Sequence, residues 1–184
     1  ARPSLRPGHE LRSIRNEGTI GGRANYLNLF AEARGAYVKY LNDDDLLAPD
    51  CVAVMADVLM RHPDVTLVTS YRQLIDDAGA PLPDRDFNRP LVDHDTVIDG
   101  RTLATKILSE RTNLVGEPTT VMFRKADVED NRPHLMSYAG RSARRNGDMS
   151  IWTTLLSRGD AAWFARPLSF FRQHAQQVQH SETF

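Results

Sequence analysis

Asn42-Asp43-Asp44-Asp45 breaks off an apolar run that begins at Ala36, setting three carboxylates side by side. Adjacent like charges repel, so unless water alone solvates them they call for a cation or a ring of donors. A hard divalent cation, Mg2+ or Mn2+, prefers oxygen ligands and often takes only one or two from protein, leaving the rest to phosphates and water. Phosphate recognition is the chemistry this implies. A calcium loop fails on its own pattern: counted from Asp43, position 6 is Ala48 rather than Gly and position 12 is Val54 rather than Glu. A phosphatase arrangement, with Asp43 as nucleophile and Asp45 as acid, finds no small hydroxyl residue just downstream and stands as a lesser alternative.

The elements around this stretch must place it. The β-branched and aromatic run Ala36 to Leu41 predicts a buried strand with the carboxylates at its C-terminal end, where open α/β sheets bind ligands. Before it, Gly21-Gly22 precedes a helix with Ala24, Leu27, Phe30 and Ala31 on one face and Gly35 as its C-cap. Asn25 and Asn28, three apart, share a side of that helix. After the carboxylates, Pro49 opens a helix in which Cys51, Val54, Met55, Val58 and Leu59 recur at helical spacing until His62-Pro63. Val65 to Tyr71 is a second strand, closed by the turn residues Asp76-Asp77-Ala78-Gly79. Pro81 to Asp95 is a loop, Asp99 an N-cap for a helix with Leu103, Ile107 and Leu108 inward, and Asn113 to Arg124 a turn entering a strand. Arg141, Arg144 and Arg145 mark a basic segment, a helix starts near Asp148, and the strands Ala161–Ala165 and Leu168–Phe171 bracket Pro167. This alternation of strands and helices predicts an α/β fold.

Composition narrows the classes. The chain has 184 residues, 41% hydrophobic and 26% charged, which suits one globular domain with a sizeable core. A formal net charge of -1 supplies no field for nucleic acid or a polybasic membrane contact. One cysteine, Cys51, excludes an internal disulfide framework, and no run approaches the ~18 apolar residues of a membrane span. Cytoplasmic residence, peripheral at most to the inner face of a membrane, is the expectation.

Four blocks together carry a family resemblance. Gly21-Gly22 with Asn25 and Asn28, then Ala33 to Val38 and Leu41 to Asp50, resembles the glycosyltransferase family 2 pattern. Gly116-Glu117-Pro118 leading to Phe123-Arg124, Gly147-Asp148 leading to Trp152, and Pro167-Leu168 leading to Phe171-Arg172-Gln173-His174 are similar to its later blocks, in order. The resemblance implies a GT-A, Rossmann-like nucleotide-diphospho-sugar transferase fold. It divides the domain into a lead-in over 1–18, a metal and donor half over 19–80 and an acceptor and catalytic half over 96–175.

The resemblance also implies roles. The family's Asp-X-Asp metal motif falls on Asn42-Asp43-Asp44, so Asn42 replaces its first aspartate and Asp44 is the metal carboxylate, with His174 as a second ligand for Mg2+ or Mn2+. Asn25, Asn28, Asp43, Asp45 and Arg172 fall to the donor side, and Glu117 and Thr119 to the acceptor side. Asp148 matches the general base that deprotonates the acceptor hydroxyl, unless it serves only as a helix N-cap. The partners implied are a nucleotide-diphosphate sugar and a glycan or lipid-linked acceptor, with inversion at the anomeric carbon. The family's opening strands, one of which carries a base-binding aspartate, find no match in residues 1–18. The expectation is an N-terminally incomplete fold, whether a fragment or a non-catalytic binding module, with a sheet edge open to self-association.

Overall fold

The computed structural model describes residues 8–131, 135–138, 141–143 and 146–174; Arg144, Arg145 and the tail beyond His174 lie outside the described residues. Contacts divide the chain into two units, Ala1–Glu32 and Ala33–Phe184. In the first, residues 9–20 form neither helix nor strand, and α1 (Gly22–Glu32) follows. Arg12 closes this unit on itself, reaching the Glu32 carboxylate at 2.5 Å and its carbonyl at 2.9 Å. The helix stops three residues before Gly35, which has no left-handed backbone and so is not its C-cap.

The second unit holds β1 (Tyr37–Lys39), β2 (Leu46–Leu47), α2 (Cys51–Arg61), β3 (Val65–Ile75), β4 (Thr96–Ile98), α3 (Gly100–Glu110), β5 (Met122–Arg124), β6 (Ser137–Tyr138), β7 (Arg141–Ser142), α4 (Gly147–Leu156) and β8 (Asp160–Arg172). The main sheet runs β1-β5-β3-β8-β2, with β4 also on β8. β3 and β8 are parallel, and β5 is antiparallel to both β1 and β3. Thus β1, β3 and β8 point the same way, and their C-terminal ends face one rim of the sheet. β6 and β7 form a separate two-stranded ribbon.

Adjacent side chains on a strand face opposite sides of a sheet, and β5 shows what each side meets. Met122 joins Cys51, Met55 and Leu59 of α2 in a core that includes Val65, Val68, Ala162 and Leu168. Phe123 instead lies edge-on to Trp152 of α4, ring centres 6.3 Å apart. The sheet is therefore covered on both faces, as parallel strands require.

Several expectations shift in detail. Pro49 stands before the helix rather than in it, because Asp50 holds the N-cap position of α2. Leu103 and Ile107 are buried on α3, but Leu108 lies a further third of a turn round and is 55% exposed. The two last strands are one, β8. Its pairing with β3 slips in register around Pro167, and the hydroxyl of Ser70 accepts the N–H of Leu168 at 3.3 Å where the ladder is broken. β4 follows the Pro81–Asp95 loop and, at three residues, is too short to show a strand period in the sequence.

Candidate active site

β1 delivers the carboxylates to the C-terminal rim, and each then takes a different environment. Asp43 is exposed. Asp45 is 5% exposed. Its Oδ2 accepts from the Thr119 hydroxyl at 2.7 Å and from the Asn42 amide at 3.1 Å, and its Oδ1 from the backbone N–H of Arg172 at 3.1 Å. Burial pushes its carboxyl above the ordinary range, while the bonds from Thr119, Arg172 and Asn42 act the other way. Thr119, 2% exposed, also accepts the backbone N–H of Asn42 at 3.1 Å, so one hydroxyl ties the Asn42–Asp45 turn at two points. Beneath it, the Lys39 ammonium donates to the Thr119 carbonyl, and burial lowers that lysine to about 8.

Asp44 faces the end of β8. His174 Nε2 lies 3.2 Å from Asp44 Oδ2, and the two side chains are 26% and 28% exposed, so solvent and ligand can reach both. Arg172 turns its guanidinium to backbone: it donates to the carbonyls of Asp44 at 2.8 Å, Asp76 at 2.6 Å and Asp77 at 2.8 Å. It binds the Asn42–Asp45 turn to the turn that ends β3.

The segment from Asn113 to Thr120 joins this rim to α4. Asn113 donates to Asp148 Oδ2 at 2.9 Å and to the Gly116 carbonyl at 2.9 Å, and its own oxygen accepts the Gly116 N–H at 3.0 Å. Trp152 Nε1 donates to the same Gly116 carbonyl at 3.0 Å. Gly116 takes φ of 110°, a backbone that side chains disfavour. Next to it Glu117 faces Arg72, Oε2 to Nε 2.8 Å. Burial raises the carboxyls of both Glu117 and Asp148; Arg72 opposes the rise in each, and Asp148 adds to that of Glu117. The N-cap position of α4 belongs to Asn146, so Asp148 sits in the first turn with its side chain turned to Asn113.

The structure thus gathers Asp44, Asp45, Thr119, Arg172 and His174 into one cluster and ties Glu117 and Asp148 to it through the Asn113–Thr120 segment. Thr119 is placed beneath the carboxylates rather than on an open acceptor face. Asn25 and Asn28 are exposed on α1 and line a hollow of about 290 Å³ with Ile14, Asn16, Leu29 and Glu32, all within the first unit. Among the described residues no group of three His, Cys, Asp or Glu side chains could hold a metal ion; the expected ligands Asp44 and His174 are in contact with each other as a pair. Sequence reasoning missed Lys39, Arg72 and Asn113. Arg72 left a readable signal, a charge inside a run that resumes as Leu74-Ile75.

Comparison with known proteins bears on the family and the fold. The model of "Glycosyl transferase family 2" matches residues 5–131. An uncharacterised protein, y4gI, of Sinorhizobium fredii (strain NBRC 101917 / NGR234) is 35% identical over 63 residues, 33% of this chain and 7% of that protein. The crystal structure of S. aureus TarS 1-349 superimposes with a TM-score of 0.54 at 17% identity, over 85% of this chain and 42% of that one. The chain spans less than half the length of either. With an α/β fold of GT-A class and a family match over more than half its residues, this chain belongs to glycosyl transferase family 2.

Proposed function

We propose that this chain carries the cation-binding and base-bearing part of an inverting sugar transferase, which moves a sugar from a nucleotide diphosphate to a glycan or lipid-linked hydroxyl. The observation that carries the reading is the meeting of Asp44 with His174 across 130 residues of chain, at the rim where parallel strands end. One carboxylate and one imidazole, both solvent-accessible, fit Mg2+ or Mn2+, which leaves its remaining positions to diphosphate oxygens and water. When bound, the cation would neutralise the charge that develops on the departing diphosphate.

The chain's own groups supply the rest. Asp45, Thr119 and Arg172 hold the turn that presents Asp44, and the exposed Asp43 is left to meet the donor. Asp148 is the base. Burial gives it a proton affinity above that of an ordinary carboxylate, which improves its match to a hydroxyl proton near neutral pH. Asn113 fixes the direction of its second oxygen. Asn25 and Asn28 belong to the donor side in this reading.

β1 pairs only with β5 among the described residues, so we also assign its other edge to strand addition by a further strand or a second copy. No helix among the described residues is long and apolar enough to cross a membrane, and a site of action at the cytoplasmic face is part of this proposal.

The test is a titration of nucleoside diphosphates with and without Mn2+, with sugar-nucleotide turnover followed in wild type and Asp148→Asn. Cation-dependent binding in both, with turnover lost in the variant, is expected. Absence of nucleotide binding by a protein that includes any sequence upstream of this chain would sink the reading.

A further inference from the structure

Arg72 is a charged residue on a strand whose other side chains are mostly buried, and it is itself 4% exposed. A guanidinium so placed needs counter-charge and acceptors. Its Nε stands 2.8 Å from Glu117 Oε2, a charge contact in which the N–H does not align on the oxygen. Its Nη2 donates to the Phe87 carbonyl at 2.6 Å, and the guanidinium carbon lies 5.7 Å from the Phe87 ring centre. Its Nη1 comes within 3.0 Å of the place a Cβ on Gly116 would occupy, so the Gly116-Glu117 turn closes directly over it.

The segment holding Phe87 is docked on the same strand. Tyr71 donates to Asp84 at 2.6 Å, and Asn88 donates to Asp84 at 2.8 Å and to the Arg72 carbonyl at 3.3 Å. Phe87 in turn meets Phe171 of β8 edge-on at 6.4 Å. One guanidinium therefore joins the 84–88 segment to the turn that carries Glu117 and, through Asn113, to the base.

We propose that Arg72 is a positioning residue of the transfer site: it clamps the Gly116-Glu117 turn, to which Asn113 ties Asp148, onto the 84–88 segment, and sets its charge against Glu117. The inference rests on the transferase reading for the role of Asp148, but its geometry stands without it. Among the described residues the charges that act with Asp148 are those of Arg72 on β3, which favours its ionised form, and Glu117, whose carboxyl Asp148 raises. On the other elements packed against α4, Asp127 and Asp130 are held by Arg124 and Arg158, Lys106 of α3 pairs with exposed Glu110, and β6 carries no charge. Without Arg72, Glu117 and Asp148 would lose the cation that, among the described residues, opposes the rise of both carboxyls.

The experiment is a carboxyl-detected NMR titration of Asp148 and Glu117 in the ligand-free protein, for wild type, Arg72→Lys, Arg72→Met and Glu117→Gln. It needs no turnover. Arg72→Met is expected to raise the Asp148 midpoint by about one pH unit or more, Arg72→Lys to leave it near wild type, and Glu117→Gln to lower it. Where transfer is measurable, the acid limb of the pH–rate profile moves with the midpoint. Should Arg72→Met fail to fold, Arg72→Gln, which keeps donors for the Phe87 carbonyl without the charge, takes its place. An Asp148 midpoint that stays put once the Arg72 charge is removed overturns the proposal, whatever Glu117→Gln does. A wild type that binds no nucleotide overturns the transferase reading, and the midpoints then decide by themselves whether Arg72 acts on Asp148.

Discussion

His174 Nε2 lies 3.2 Å from Asp44 Oδ2, though the two residues are 130 positions apart. β8 brings the histidine to the same rim where β1 leaves the aspartate, because both strands run in one direction through the sheet.

That contact predicts equal dependence on both partners. Asp44→Ala and His174→Ala should each weaken Mn2+-dependent nucleoside diphosphate binding by at least about tenfold, since even supporting residues of metal sites cost 10–100-fold when lost. Calorimetry with and without Mn2+ reads this directly. Retention of full cation-dependent binding in either variant would remove that residue from the ligand set.

Asp148→Asn should keep nucleotide binding and lose about 10²–10⁴ in turnover, the range supplied by one positioned base. The same variant tests the pH dependence of stability. The folded state holds the Asp148 proton more tightly than the unfolded chain, so that contribution is complete below the ordinary carboxylate range and fades as pH rises through the raised folded value. Urea midpoints from pH 4 to 7 should therefore fall less steeply for Asp148→Asn than for wild type. Parallel slopes would mean that burial leaves Asp148 unperturbed.

Thr119→Val removes a buried hydroxyl that donates to Asp45 and accepts from Asn42. The carboxylate keeps its bonds from Asn42 and Arg172, so a loss of about 1–3 kcal/mol is expected rather than unfolding. Denaturant unfolding measures it, and a change below about 0.5 kcal/mol would show that the Asn42–Asp45 turn holds without this bond.

Gly100→Ala should be far worse than its small size suggests. A Cβ there would stand 2.0 Å from the Gly159 carbonyl oxygen and 2.5 Å from that of Leu156, both backbone atoms with little room to yield. Gly159→Ala meets the Asp64 carbonyl oxygen at 2.3 Å in the same way. Each should cost more than about 3 kcal/mol, read as soluble yield and thermal midpoint. A Gly100→Ala protein of wild-type stability would contradict the close approach of α3 to the end of α4.

Much of this was legible in the order of residues. α2 was readable because Cys51, Met55 and Leu59 recur every four positions and end up buried together, and Asp99 announced α3 because its carboxylate accepts the Thr102 N–H at 2.8 Å. Local periodicity and capping act over a few residues, so they can be read from a few residues. β4 and the continuity of β8 were not legible: three residues carry no period, and Pro167 looks like a break unless a neighbouring Ser70 repairs it.

The carboxylate run, the family pattern and the candidacy of Asp44, Asp148 and His174 were determined by sequence alone. Tertiary structure decided how the three aspartates divide. Asp45 is turned inward by Thr119, Asn42 and Arg172, Asp44 is left facing His174, and Asp43 stays in solvent. It also decided that Arg172 binds carbonyls and that Arg72 lies against Glu117. The physical reason is burial: a charge takes its role from the donors, carbonyls and counter-charges that remote strands bring within about 3 Å, and no spacing along the chain records those distances.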